Sequence, residues 1–249
     1  MTDNDTLDLL PYYQLLRVAD VCDALDGIGY FNVGLMDREV RPLWPGMSFW
    51  GVAFTVRCVP ANRPMWKLGS TEEIVRAHGI WFDEVGVVRY QDQIRKGHVI
   101  VNATGGGQEV GQWGSSNSLS VIAAGAVGII TDGYCRDTDE LILQQTPICS
   151  RERGRTIIPG RIEVVEVQTR VSCGGVQVAP GDIVGCDGDG IVVVPRSVAG
   201  EVASHSRAIL IHDMKARRGL YERLGMAFDE TVDVRKMEAD FEELDSSRT

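Results

Sequence analysis

Apolar residues recur along this chain at two different periods. Over residues 13–25 the apolar side chains Leu15, Leu16, Ala19, Val21, Cys22 and Leu25 fall on one helical face, and Gly27 and Gly29 stop the pattern. Residues 51–59 alternate and are rich in β-branched and aromatic types, which predicts a strand. Residues 98–103 and 127–131 are short continuous apolar runs bounded by glycine, the pattern of strands covered on both faces. Further helices are expected over 66–78 and 119–124, another ends near Pro147, and short strands are expected over 86–90, 162–171 and 176–178. Two buried strands, 183–186 and 191–194, flank Asp187-Gly188-Asp189-Gly190, which reads as a hairpin turn with Asp-Gly supplying positive φ. Residues 198–224 are helical in pattern. Residues 226–245 read as an acidic helical or frayed tail that packs on, or reaches toward, another subunit.

Residues 98–137 thus read as strand, glycine loop, helix, strand. Such a βαβ unit places both strand ends on one sheet edge, so both following loops can face one crevice. The first loop holds Gly105-Gly106-Gly107, Glu109, Gly111 and Gly114 before Ser115-Ser116-Asn117-Ser118. Glycines let backbone approach a ligand, and free amides at a helix start attract anions. A small carboxylate or phosphate would dock there; a flexible loop with Ser/Asn caps is the plainer alternative. The spacing is neither a Walker A motif nor a dinucleotide fingerprint. The second strand is expected to break at Asp132-Gly133 into a loop presenting Arg136 beside Asp137. A guanidinium fork matches a carboxylate, and a carboxylate is a hard oxygen ligand for a divalent cation. Equally, Asp137 before Thr138-Asp139-Glu140-Leu141 is a good N-cap.

Composition narrows the classes. The 249 residues contain no repeat and no low-complexity linker, and read as one domain over 1–249, with its core at about 15–200 and a helical extension at about 200–249. A net charge of -10 argues against a nucleic-acid surface. No stretch approaches the roughly 20 apolar residues of a membrane span. The acidic first residues do not resemble a signal peptide, and the six cysteines form no CxxC pair, so a cytoplasmic protein with reduced, packed thiols is expected. The four histidines lack ligand spacing for zinc. Asp187-Gly188-Asp189-Gly190 lacks the remaining positions of a calcium loop. Arg151, Arg153 and Arg155 alternate along a strand or loop edge, either as a solvated face or to neutralise an acidic partner subunit or substrate.

Asp23-Ala24-Leu25 with Gly29, the strand 51–56, Gly125 to Gly128, Asp132-Gly133-Tyr134-Cys135-Arg136-Asp137, Gly174-Gly175-Val176, Pro180-Gly181-Asp182 and the run from Asp187 to Pro195 follow one another in the order seen in RraA-like proteins. These include class II pyruvate aldolases acting on 4-hydroxy-4-methyl-2-oxoglutarate and 4-carboxy-4-hydroxy-2-oxoadipate. The resemblance spans roughly residues 15–200. It implies an α/β fold of the swivelling β/β/α type, a homotrimer or a hexamer built as a dimer of trimers, and sites near subunit interfaces. It also implies Mg2+ or Mn2+ at Asp137, a pyruvyl group gripped by Arg136, and a substrate carboxylate on the amides at Ser116, Asn117 and Ser118, next to Gly114. The metal would act as a Lewis acid in retro-aldol cleavage or oxaloacetate decarboxylation of a small 2-keto acid.

One position departs from the resemblance. Where aldolase members carry an acid, this chain has Ser115, a poor base at ordinary pKa. Either Glu109 substitutes, or the proton moves through water, or aldol cleavage is not the reaction. Some RraA-like members instead bind a large ribonuclease and inhibit it, which makes a non-catalytic binding protein the second expectation. Nothing resembles the loop-and-acid arrangement of a methyl-donor site, although a methyltransferase label is often attached to the family.

Overall fold

The apolar runs become one mixed sheet because each has a partner to bury against on both faces. The computed structural model describes residues 6–63, 69–81 and 89–247; the expected strand start at 86–88, the helix start at 66–68 and the acidic residues 1–5 lie outside them. Among the described residues the sheet has nine strands. Its order is β1 (Arg41–Pro42), β6 (Ile148–Arg153), β5 (Ala126–Cys135), β3 (His98–Ala103), β2 (Phe49–Pro60), β10 (Ile183–Asp187) and β11 (Gly190–Val194). A short β4 (Gly111–Trp113) adds to β5, and β7 (Ile162–Val167) adds to β2. A separate hairpin is formed by β8 (Val171–Cys173) and β9 (Val176–Val178). Strands β2, β3, β5 and β6 are parallel, and β10 and β11 continue antiparallel. Leu35 bridges Val192 and β1 returns beside β11, so the sheet curls most of the way into a barrel.

Inside the curl, Phe49, Ala53, Val99, Ile130, Cys149 and Val193 belong to the main core, while Phe54, Ile100, Ile129 and Ile148 line the opposite face. Outside it, Trp50, Val52, Ile183 and Val192 pack under α1 (Leu10–Tyr13), α2 (Val18–Gly27) and α6 (Ala199–Leu224). Each fully buried aliphatic or aromatic side chain contributes about 1.5–3 kcal/mol relative to exposure. Buried hydrogen bonds tie the two chain ends to this layer: Tyr13 Oη donates to the Ala199 carbonyl at 2.8 Å and Trp50 Nε1 to the Leu16 carbonyl at 3.1 Å. The acidic tail is a helix, α7 (Val234–Ser246), which packs on α6 of its own chain. Phe241 is fully buried there under the Arg207 guanidinium.

Elsewhere the boundaries moved for local reasons. Ser70 caps helix α3 (Thr71–Ile80) by accepting from the Glu73 amide, while Glu73 reaches back to the Ser70 N–H. The strand expected over 162–171 is split: Gln168 takes a positive φ of 54°, ending β7 before β8 begins. Strand β5 does not break at Asp132-Gly133. It runs on to Cys135 because β4 pairs with its far end, Gly111 opposite Tyr134 and Trp113 opposite Cys135.

Candidate active site

Parallel pairing of β3 with β5 brings their C-terminal ends to one edge, as the βαβ pattern implied. A buried polar network holds that edge. Asn102 Oδ1 accepts from Trp113 Nε1 at 3.1 Å and from Thr131 Oγ1 at 3.2 Å, while Asn102 Nδ2 donates to Cys58 Sγ at 3.3 Å. Side-chain hydrogen bonding therefore locks β4 onto β3 and β5. From β4 the chain turns through Gly114 directly into α4 (Ser115–Ala123). This helix starts earlier than the apolar pattern suggested, because extended Gly114 serves as its N-cap and the Ser118 amide already donates to the Gly114 carbonyl at 3.0 Å.

Arg136 follows β5 immediately, and its backbone N–H donates to the Trp113 carbonyl at 3.0 Å. The next residue, Asp137, holds a left-handed conformation at φ 53° and ψ 39°. That geometry is uncommon outside glycine, although Asp tolerates it better than most residues. Asp137 occupies the N-cap position of α5 (Thr138–Leu143), yet its side chain makes no capping bond. Its Oδ2 instead accepts from the Ser115 N–H at 3.1 Å and lies 3.8 Å from Arg136 Nε. Each of these side chains is about one-third exposed, 32% and 35%, so the pair itself adds little stability. Left-handed backbone held without a structural capping bond is the kind of strain found at functional sites.

Glycine makes this approach sterically allowed. A Cβ at Gly114 would overlap Asp137 Oδ2 and stand 3.1 Å from Arg136 Nε; one at Gly111 would stand 2.8 Å from Arg136 Cβ. The cleft so formed is about 210 Å3 and is lined by Gly111, Gly114, Ser116, Asn117, Arg136, Asp137, Ile157 and Ile158. At its helix end, Ser116 and Asn117 carry the second and third amides of α4, which no carbonyl within the helix can reach. Those amides, the helix dipole and Arg136 place positive potential at one point. Ser118 does not join them, since its amide is used within the helix and its side chain is buried.

Glu109 is not brought to the Arg136–Asp137 pair. Its Oε1 accepts from the Arg155 backbone N–H at 2.8 Å and from Arg155 Nε at 3.1 Å, and its Oε2 accepts from Arg155 Nη2 at 2.8 Å. This clamp lowers its pKa from the ordinary 4.5 to about 2, so at neutral pH it is a fully ionised and poor proton acceptor. Nor do Gly105 to Gly107 line the cleft: Gly105 and Gly106 take positive φ to turn the loop, and Gly106 lies beside Arg151. Arg151 is itself committed, through Nη1, to Asp37 and Glu39. Sequence reasoning did not single out Ile157-Ile158 or the Asn102–Trp113–Thr131 network. Two consecutive isoleucines after three alternating arginines were the available signal for the first.

The donor set decides whether the cleft suits a divalent cation. Asp137 is the one carboxylate lining it among the described residues, and Oδ1 accepts no hydrogen bond there. No group of three or more His, Cys, Asp or Glu side chains suited to a metal occurs among the described residues. A single carboxylate with water in the other positions suits Mg2+, which dehydrates reluctantly and keeps several waters. The residues fit that kind of site and do not fit an all-protein cage.

A curled mixed sheet with a cleft holding Arg136, Asp137 and the start of α4 where a parallel βαβ unit ends defines the class of this protein. The chain belongs to the RraA-like family, described as Aldolase/RraA, whose pattern matches residues 18–193. Protein DlpA of Legionella pneumophila is 24% identical over 221 residues, which cover 88% of this chain but 33% of DlpA, so the chain spans a third of that relative's length. A Halalkalibacterium halodurans protein named "Putative 4-hydroxy-4-methyl-2-oxoglutarate aldolase" is 22% identical over 219 residues, 88% of this chain and 91% of that one. A crystal structure of an uncharacterized protein from Pseudomonas syringae pv. tomato shares the fold at a TM-score of 0.69 and 28% identity, covering 92% of this chain and 96% of the other.

Proposed function

We propose that this protein is a divalent-metal-dependent carbon–carbon lyase acting on a small 2-oxo acid, by retro-aldol cleavage of a 4-hydroxy-2-oxo acid or decarboxylation of oxaloacetate. The observation that carries the reading is the convergence of Arg136, Asp137 and the free amides of α4 on one cleft. Asp137 would hold Mg2+ or Mn2+, which when bound supplies Lewis-acid polarisation of a 2-oxo group. The chain's own residues do the rest. Arg136 and the Ser116 and Asn117 amides receive the substrate carboxylate, and the Ser115 N–H orients Asp137. Gly111 and Gly114 leave room for both side chains, and Ile157 and Ile158 keep water from one wall. With Glu109 clamped by Arg155, the proton leaving the C4 hydroxyl passes to water. A trimer or hexamer of the 27.3 kDa chain in the cytoplasm belongs to the same proposal, and light scattering measures the first. No described helix is long and apolar enough to cross a membrane.

The test is metal-dependent pyruvate release from oxaloacetate, 4-hydroxy-4-methyl-2-oxoglutarate and 4-hydroxy-4-methyl-2-oxopentanoate, followed with lactate dehydrogenase, before and after EDTA. Release from at least one, lost with EDTA, is expected. Asp137→Asn should abolish metal-dependent turnover while keeping a residue tolerant of positive φ, and Arg136→Ala should raise KM and lower kcat. Silence on all three substrates from the folded protein would sink the lyase reading and leave the ribonuclease-binding role that the family resemblance also implies.

A further inference from the structure

Resting on the lyase reading, the structure assigns the cleft to 4-hydroxy-2-oxo monocarboxylates whose C4 bears an apolar group, with Ile157 and Ile158 as the wall that selects them and Glu109 as the residue that positions that wall. Charge distribution inside the cleft carries the inference. Arg136 is the one cation among the residues lining it, and it packs against Gly114 at the first turn of α4, where the free amides also lie. The chain's own positive groups in the cleft therefore gather on one carboxylate, the one beside the 2-oxo group. Of the remaining lining, Asp137 is engaged by the metal in the lyase reading, and Ile157 and Ile158 are apolar. A second carboxylate on C4 would face the apolar wall, losing water without gaining a partner.

Two other cations close to the wall are engaged elsewhere. Arg155 is clamped by Glu109, and Arg161 donates from Nη1 to the Ile157 carbonyl at 2.8 Å. The segment carrying the wall is pinned as well. Thr156 Oγ1 donates to the Glu109 carbonyl, the Glu109 carboxylate grips Arg155, and the Arg161 N–H donates to the Ile158 carbonyl at 2.9 Å. Glu109 thus fixes Arg155 and Thr156, the two residues before Ile157, without entering the cleft. Size agrees with this assignment. A cleft of about 210 Å3 has room for a pyruvyl unit and a short substituent. The reaction balances without a co-reactant. The C3–C4 bond breaks, its electron pair passes into the 2-oxo group, the C4 hydroxyl loses its proton to water, and C3 regains one to give pyruvate and a ketone or aldehyde.

The experiment separates binding from turnover. Calorimetry with Mg2+ compares 4-methyl-2-oxopentanoate with 2-oxoglutarate, neither of which can undergo retro-aldol cleavage. Pyruvate release then compares 4-hydroxy-4-methyl-2-oxopentanoate with 4-hydroxy-4-methyl-2-oxoglutarate, which differ by methyl for carboxylate on C4. The monocarboxylate should win by at least tenfold in both comparisons. Ile157→Lys should reverse the order, Ile157→Ala should shrink the gap, and Glu109→Gln should shrink it while leaving Arg136 and Asp137 in place. Equal or tighter binding of 2-oxoglutarate overturns the inference, and so does failure of both ligands to bind. A tenfold binding preference without pyruvate release supports the assigned wall and counts against the lyase reading alone.

Discussion

At the scale of single residues, the site depends on two that are used against their usual roles. Asp137 stands where an N-cap belongs but turns its carboxylate back to Ser115, and Gly114 caps a helix while leaving space for that carboxylate. Gly114 has φ -102° and ψ 179°, a conformation open to any residue, so Gly114→Ala tests the space and not the backbone. A Cβ there should displace Asp137 and Arg136, costing on the order of 100-fold in kcat/KM with little change in Tm; unchanged turnover would show that the crowding is relieved without moving either group. Glu109 offers a pH test. Its folded pKa is depressed from 4.5 to about 2, chiefly by the hydrogen bonds from Arg155. A depressed acid contributes stability that is present above the unfolded pKa and is lost as pH falls through the folded one. Wild-type stability should therefore decline between about pH 4.5 and 2. Glu109→Gln should flatten that limb in urea midpoints, and an identical slope would exclude the clamp as a source of acid sensitivity.

Among elements, the decisive arrangement is β4 laid against β5 with α4 growing out of its end. Three residues of strand have little stability of their own, and the Asn102 hydrogen bonds supply what β4 lacks. Asn102→Leu would bury the Trp113 indole N–H and the Thr131 hydroxyl without acceptors. A loss of roughly 3 kcal/mol, about 6–12 °C in Tm, is expected from thermal unfolding. An unchanged Tm would mean that these donors find other acceptors. The βαβ unit itself was legible in the apolar runs, because period and glycine boundaries report burial on both faces. The early start of α4 and the run of β5 to Cys135 were not legible. They follow from β4 pairing, which three residues rich in no particular propensity do not announce.

For the whole molecule, the C-terminal helices close the outer layer and do not stand apart. Phe241 is buried under Arg207, and Tyr12 Oη donates to Asp245 at 2.9 Å, so the tail contacts α1 as well as α6. Phe241→Ala should cost about 3–5 kcal/mol of packing and make α7 cleavable by protease below the main transition; resistance equal to wild type would mean that α7 is held by its polar contacts. The chain's own sequence determined the alternation of strands and helices, the hairpin at Asp187–Gly190, the long helix ending at Leu224 and the pairing of Arg136 with Asp137, because periodicity, turn chemistry and adjacency are local properties. Only the tertiary structure decided which groups meet. It took Glu109 away to Arg155, turned Asp137 toward Ser115, limited the free helix amides to those near Ser116 and Asn117, and brought Ile157 and Ile158 to the cleft. Contacts such as Glu109 with Arg155 join residues far apart in the chain, and the curl of the sheet, not any local preference, sets which of them close.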